Sequence, residues 1–181
     1  LRDNLKIIKS APEVEKLASE VSDLSQMQDV LLFPFFTGIG SPYWVSDAKA
    51  ALVGLTRGTE NSHIARATLE GMALSINDSI QVLIKNSPSE VKSIKVDGGA
   101  CANNLLLQLQ ADISSQDIIR PKVIETTAYG VALGALYQQG AITFEGIEKL
   151  WFQDKVFNAK ASDYIEHKKS LWNKFIKNNY L

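Results

Sequence analysis

Apolar positions along this chain fall either in short unbroken runs or at three- and four-residue steps, and the alternation predicts its elements. Leu1, Leu5 and Ile8 share one helical face, which predicts a helix over residues 1–8. That helix would already be under way at Leu1, with no cap and no initiator methionine before it. The expectation is a fragment of a longer chain. Ser10-Ala11-Pro12-Glu13 reads as the proline start of a second short helix reaching about Val21, with residues 22–29 as a polar connector. Val30-Leu31-Leu32-Phe33 is an unbroken apolar run, hence a buried strand stopped at Pro34. Residues 37–44 have the chemistry of a loop carrying Tyr43 and Trp44. Ala51-Leu52-Val53-Gly54-Leu55 reads as another strand.

Asn61-Ser62 then caps the longest predicted helix. Its inner face is Leu69, Met72, Ala73, Ile76, Ile80 and Leu83, which leaves Asn77, Asp78 and Gln81 off that face. Residues 86–90 break it. Ser93-Ile94-Lys95-Val96 is strand-like and ends in Asp97-Gly98-Gly99. Asn103-Asn104 opens a helix through Ile113 with Leu106, Leu109 and Ile113 inward. Asp117-Ile118-Ile119-Arg120-Pro121 is a short strand, and Thr126 or Thr127 caps a helix holding Gly130 and Gly134 one turn apart. From residue 162 an amphipathic helix turns Tyr164, Leu171, Phe175 and Ile176 inward and Lys168, Lys169, Lys174 and Lys177 outward. Such a basic face suits a membrane surface or solvent, and solvent is the ordinary home of surface charge. Strand–helix–strand–helix order with connections too long for hairpins predicts an α/β fold, a parallel sheet with helices on its faces. About four strand candidates are few for a closed domain, in keeping with a fragment.

Composition narrows the classes. At 181 residues, 45% hydrophobic and 22% charged, the chain suits one compact globular domain with a tail. A net charge of -1 gives no global reason to expect nucleic acid or acidic lipid. The single cysteine, Cys101, excludes an intramolecular disulfide framework and is compatible with a reducing compartment. No apolar run approaches the roughly 20 residues that span a bilayer, and residues 1–20 do not read as a signal peptide.

The candidate chemistry centres on Val96-Asp97-Gly98-Gly99-Ala100-Cys101-Ala102-Asn103-Asn104. Strand, paired glycines and helix start make a place where a ligand can approach the backbone, since glycine has no Cβ. The first N–H groups of a helix lack intrahelical partners and suit the phosphates of a nucleotide. The same residues also fit a plain tight turn. Gly130 and Gly134 each cost about 1 kcal/mol in a helix interior, justified by close packing on the sheet or by bordering a nucleotide. His63 and His167 have no companions at metal-ligand spacing. Cys101 reads as small buried filler, with no histidine near in sequence to activate it. Tyr43 and Trp44 are either a stacking platform or aromatics buried against their own domain or a neighbouring subunit. A Rossmann site is disfavoured, because Gly-x-Gly-x-x-Gly is absent and Glu125, at about the ribose-ligand distance, leads into a helix.

Several of these segments together resemble one family, the sugar kinases that include glycerol kinase. Phe35-Phe36-Thr37-Gly38-Ile39-Gly40-Ser41-Pro42-Tyr43-Trp44 is similar to a loop of the glycerol kinases, where relatives acting on pentuloses or gluconate differ. Ala50-Ala51-Leu52-Val53-Gly54-Leu55, with His63-Ile64-Ala65-Arg66-Ala67-Thr68-Leu69-Glu70, resembles the second signature of the broader family. Val96-Asp97-Gly98-Gly99-Ala100 with Ala102-Asn103-Asn104 resembles its adenosine motif. The likeness runs from residue 1 to about residue 151. It departs at Val45, where an acidic residue is usual, at Lys49-Ala50 in place of Arg-Gly, and at Asn158-Ala159 in place of Arg-Pro.

The resemblance implies an actin-like ATPase fold, of which this chain is a partial ribonuclease-H-like domain with a mixed or parallel sheet, lacking its opening strands. Residues 1–160 would be the nucleotide-binding C-terminal domain and residues 161–181 a terminal amphipathic helix. It implies ATP as phosphoryl donor, with Gly98, Gly99, Ala100 and Asn103 around the adenosine and α-phosphate. The backbone N–H groups of Gly99 and Ala100 and the side-chain amide of Asn103 would be the donors. Mg2+ would be held by the phosphates and the other domain, and the catalytic base and glycerol pocket would lie outside this chain. A cytoplasmic homo-oligomer with glycerol as substrate, without nucleic acid or membrane insertion, completes what the resemblance implies. Another polyol kinase, or a non-catalytic nucleotide-binding or interaction module, are the alternatives.

Overall fold

Two small sheets share a set of helices in the computed structural model, which describes residues 1–27 and 29–181. The first pairs β1 (Leu31–Phe33) with β2 (Ala51–Val53), antiparallel, in the register Leu31↔Val53 and Phe33↔Ala51. The second orders β3 (Ser93–Lys95), β4 (Asp117–Pro121) and β5 (Gln153–Phe157) side by side. There β3 and β4 run parallel and β5 runs antiparallel to β4, so the sheet is mixed.

The helices are α1 (Glu13–Ala18), α2 (Asn61–Asn86), α3 (Asn104–Ser114), α4 (Thr126–Gln138), α5 (Phe144–Glu148) and α6 (Asp163–Asn179). The crossover from β3 to β4 runs through α3, the arrangement that parallel strands require. The connector keeps one turn of 3-10 helix over Leu24–Met27, and its Gln28 lies outside the described residues.

Residues 1–8 form turns rather than the expected helix. Ile7 N–H donates to Leu1 O at 3.0 Å, and Lys6 sits at φ +53°. Ile8 is buried while Leu5 stays exposed, so the three spaced apolar residues share no packed face. An uncapped stretch this short does not overcome the cost of helix nucleation. α1 likewise ends at Ala18, short of Val21.

α2 starts one residue earlier than its expected cap. Glu60 is the N-cap, in a reciprocal box with the third helical residue, His63, whose Nδ1 accepts from Glu60 N–H at 2.8 Å. Leu69, Ala73 and Ile80 are buried as expected, but Ile76 and Leu83 face solvent and Asn77 is covered instead. The first half of α2 lies on β1 and α1. Further along, Gln81 reaches Asn77 Oδ1 and Ser114 O at the end of α3. The covered face follows those neighbours and not the apolar stripe. At Gly71 the helix presses on β1 so closely that an added Cβ would overlap the Leu32 carbonyl.

The main core joins β1, α2, α3 and α6 through Leu31, Phe33, Leu69, Leu74, Leu109, Ile113 and Trp172. Phe33 stacks on Trp172 at 4.7 Å and on Phe175 at 4.0 Å, and Phe35 meets the edge of Tyr180. α6 opens at the expected Ser162, whose hydroxyl accepts from Ile165 N–H. Lys168 does not point outward as its spacing suggested. It is fully buried, donating to Met27 O and Val30 O at 2.6 Å each and lying 3.2 Å from Glu70 Oε2. Two backbone carbonyls from the segment before β1 and one buried carboxylate supply what solvent would have.

Gly130 and Gly134 fall on exposed ground, and a Cβ at either would meet nothing within 4 Å. Close helix–sheet packing therefore does not account for them among the described residues. No helix of the described residues is long and apolar enough to cross a membrane.

Candidate functional site

β3 and β4 run in the same direction, so their C-terminal ends open on one edge of the sheet, where α/β folds generally receive ligands. The chain leaves β3 through Val96, whose N–H still donates to Ile119 O at 3.1 Å. Gly98 then takes φ +88°, a backbone that side chains resist, and donates to Ile124 O at 2.7 Å. One turn of 3-10 helix over Gly99–Ala102 follows, closed by Cys101 N–H to Gly98 O at 3.0 Å.

Gly99 and Ala100 are exposed, and their N–H groups meet no acceptor among the described residues. A Cβ at Gly98 or Gly99 would meet nothing within 4 Å, so the ground above the turn is open. This is where the sequence placed its donors, and the backbone presents two of them outward.

Asn103 keeps the donor expected of it, while the expectation of an open start to α3 needs correction. Asn103 is the N-cap of α3, and its Oδ1 accepts from Leu106 N–H at 2.8 Å. Its oxygen is committed to the helix, which leaves only Nδ2 as a donor. Nor is the start of α3 open. The Glu15 carboxylate on α1 accepts from Asn104 N–H at 3.0 Å and Leu105 N–H at 3.2 Å. A protein anion already occupies the position a phosphate would prefer.

Below the turn, Cys101 is buried with Leu107, Ala111, Ile118 and Phe157, and its Sγ–H donates to Asp97 O at 2.9 Å. Burial pushes the thiol pKa up, and Asp97 adds to this against an opposing pull from Arg120. A protonated, enclosed thiol is filler, as its setting in the sequence suggested. Arg120 on β4 donates to Cys101 O at 3.0 Å, to Asn104 Oδ1 at 3.1 Å and to Asp154 at 2.7 Å. Asp97 accepts from the Thr126 hydroxyl, and the N-cap of α4 is Glu125 rather than Thr126 or Thr127.

A largely apolar cavity of about 350 Å³ adjoins the turn, large enough for a small heterocycle. Gly99, Ala100 and Asn103 line it together with Ile8, Pro12, Leu69 and Met72.

The two loop aromatics separate. Trp44 is 77% exposed, while Tyr43 packs on the main core, so they form no joint platform. His63 serves the α2 cap, and His167 contacts Asp29 at 3.1 Å. Sequence reasoning missed Glu15 and Arg120. Arg120 had a signal, a cation next to the apolar pair Ile118-Ile119 in a strand that ends at Pro121. Glu15 had none, because its partners lie about ninety residues away.

The strand–turn–helix unit on this mixed sheet is part of a carbohydrate-kinase domain. Residues 2–139 match the model of the FGGY family of carbohydrate kinases, C-terminal domain, and the chain belongs to that family. It is 44% identical to the glycerol kinase of Dichelobacter nodosus over 98% of its own length and 35% of that protein's. To the glycerol kinase of Clostridium botulinum strain Hall it is 49% identical over 73% of its length and 26% of the relative's. The crystal structure of Plasmodium falciparum glycerol kinase with ADP matches with a TM-score of 0.81 at 29% identity, over 98% of this chain and 35% of that one. The chain thus spans about a third of the length of the curated relatives it matches.

Proposed function

We propose that this chain is the nucleotide-binding C-terminal part of an ATP-dependent glycerol kinase, with Gly98, Gly99, Ala100 and Asn103 around the adenosine and α-phosphate. The observation that carries the reading is the turn at the end of β3, with the outward N–H groups of Gly99 and Ala100 and no side chain above them. Its fit to a nucleotide is chemical. Two backbone donors suit a phosphate oxygen, Asn103 Nδ2 suits a polar edge of the sugar, and the adjoining apolar cavity suits a base. Residues 1–160 would form this domain, with α6 as its C-terminal helix.

Bound ATP supplies the transferable phosphoryl group. In this chain the turn would hold the nucleotide by its backbone N–H groups. Glycerol, the proton-accepting base and most contacts to Mg2+ would belong to the rest of the intact protein, so the contribution here is positioning. Glycerol is favoured over other polyols by 43–49% identity to curated glycerol kinases and, among the solved structures, by 29% identity to a glycerol kinase against 16–24% to xylulose and gluconate kinases. A cytoplasmic homo-oligomer accompanies this reading.

Kinetics of the intact protein with Mg-ATP test it, comparing glycerol, xylulose and gluconate. Gly99→Val is the clean probe of the site, since its side chain strains nothing in the fold and would stand where the nucleotide lies. It should raise the KM for ATP most. Asn103→Ala should weaken ATP about fivefold, the loss of one hydrogen bond worth roughly 1 kcal/mol. Glycerol binding should be unchanged in both. Unaltered ATP affinity in folded Gly99→Val places the nucleotide elsewhere, and preference for xylulose or gluconate removes the glycerol assignment.

A further inference from the structure

Asn104 stands directly after the proposed nucleotide turn and is gripped from two sides. Glu15 on α1 takes its backbone N–H at 3.0 Å, and Arg120 on β4 donates to its Oδ1 at 3.1 Å. The carboxylate also takes Leu105 N–H at 3.2 Å, so one oxygen, Oε1, serves both donors at the N-terminus of α3. α3 is 11 residues long, and its first turn carries no acidic residue of its own. A helix start of this kind attracts anions through its open N–H groups and its dipole. Here the attraction is satisfied internally, from another helix, by a charge-assisted pair of bonds.

Two consequences meet at the turn. α1 carries Glu15, while Pro12 and Val14 beside it line the same cavity as Gly99 and Ala100. The Glu15 bonds therefore tie the α1 segment that lines the cavity to the helix that follows the turn. They also withdraw the N–H groups of α3 from competition for phosphate, which leaves the outward donors of Gly99 and Ala100 as the backbone sites for an anion.

We infer that Glu15 is a positioning residue for the nucleotide: it holds the α1 wall of the cavity against the turn and closes the N-terminus of α3 to anions. The inference rests on the nucleotide reading of the turn. A plain helix cap would stabilise α3 and do nothing else. A positioning residue changes how the nucleotide binds in protein that is still folded.

The test uses the intact protein with Glu15→Ala and Glu15→Gln, assayed well below their melting temperatures. In Glu15→Ala the KM for ATP should rise about fivefold or more, since displacement of one wall forfeits at least one bond's worth of binding. The kcat and the KM for glycerol should stay within about twofold, the ordinary spread for a change that touches neither the base nor the polyol. Sulfate is the second readout. With α3 opened, it should compete with ATP at roughly tenfold lower concentration than in the parent protein, as an anion at a freed helix start gains about that much. Glu15→Gln keeps an acceptor oxygen without the charge and should restore most of the KM while remaining more sulfate-sensitive than the parent. If Glu15→Ala does not fold, Glu15→Gln alone decides by its sulfate sensitivity. Parent-like ATP KM and sulfate response in the folded variants overturn the inference. Gly99→Val run alongside separates the two claims: if it weakens ATP and Glu15→Ala does not, the positioning role falls alone. If neither weakens ATP, the nucleotide reading falls with it.

Discussion

Lys168 Nζ stands 3.2 Å from Glu70 Oε2, and neither side chain meets solvent. The contact is ionic rather than an aligned hydrogen bond, because Oε2 has no hydrogen-bond partner of good geometry. Glu70 Oε1 meanwhile receives Arg66 Nε at 2.8 Å and the Tyr164 hydroxyl at 2.6 Å. Burial pushes the Lys168 ammonium pKa down, and Glu70 pulls it back up. Three elements, α2, α6 and the segment before β1, close on this one cation. Lys168→Met would leave Met27 O and Val30 O without their donor and Glu70 short of a counter-charge. The expected loss is about 3–5 kcal/mol, the range for breaking a buried pair. Adding Glu70→Gln should not recover it, because Arg66, 2.8 Å from Glu70 Oε1, would then lose its own counter-charge. Denaturant unfolding of the intact protein measures both, and a loss under about 1 kcal/mol, the range of an exposed ion pair, would contradict this account.

Asp78 is set up to show in a pH series. Burial raises its carboxyl pKa above the usual range, against the lowering effect of hydrogen bonds from Trp172 Nε1, at 2.8 Å, and from Tyr43. The neighbouring Tyr43 hydroxyl is pushed up to about 12, chiefly by its own burial and then by the Asp78 charge. A carboxyl whose folded pKa is raised binds its proton more tightly in the native state. Its contribution is full below the unfolded value of about 3.9 and is lost as pH rises through the raised one. Asp78→Asn cannot ionise, so the parent should lose stability relative to the variant across that window and then run parallel to it above. Unfolding free energies from pH 4 to 8 check the slope, and a constant offset at every pH would rule out the titration.

Gly71 and Gly130 both occupy helix interiors and should answer alanine in opposite ways. At Gly71 the new methyl would overlap the Leu32 carbonyl, which is backbone and cannot swing aside. Overpacking there should cost about 1–3 kcal/mol or more. At Gly130 a Cβ meets nothing, so alanine should add up to about 1 kcal/mol of helix stability. Melting curves of the two variants of the intact protein decide it, and a shift of the same sign in both would overturn the contrast.

What sequence spacing alone determined was local. The apolar run of β1, the β3–turn–α3 unit with Asn103 at its cap, and Ser162 at the head of α6 were legible because their causes lie within a few residues. β5 was not, since Gln153-Asp154-Lys155 has no apolar signature and becomes a strand only because β4 offers it an unpaired edge. The double glycine marked a place where backbone could meet a ligand, and geometry left Gly99 and Ala100 facing outward there. Tertiary structure decided the rest: that Lys168 turns inward, that Asn77 is covered and Ile76 is not, that Gly71 rather than Gly130 is the close approach, and that Glu15 occupies the start of α3. Each depends on which atom a distant segment brings alongside. A lysine is buried where another element supplies a carboxylate and two carbonyls, and a helix start is closed where a carboxylate arrives from about ninety residues away. Spacing along the chain carries no record of those meetings, because they are fixed by packing between elements and not within them.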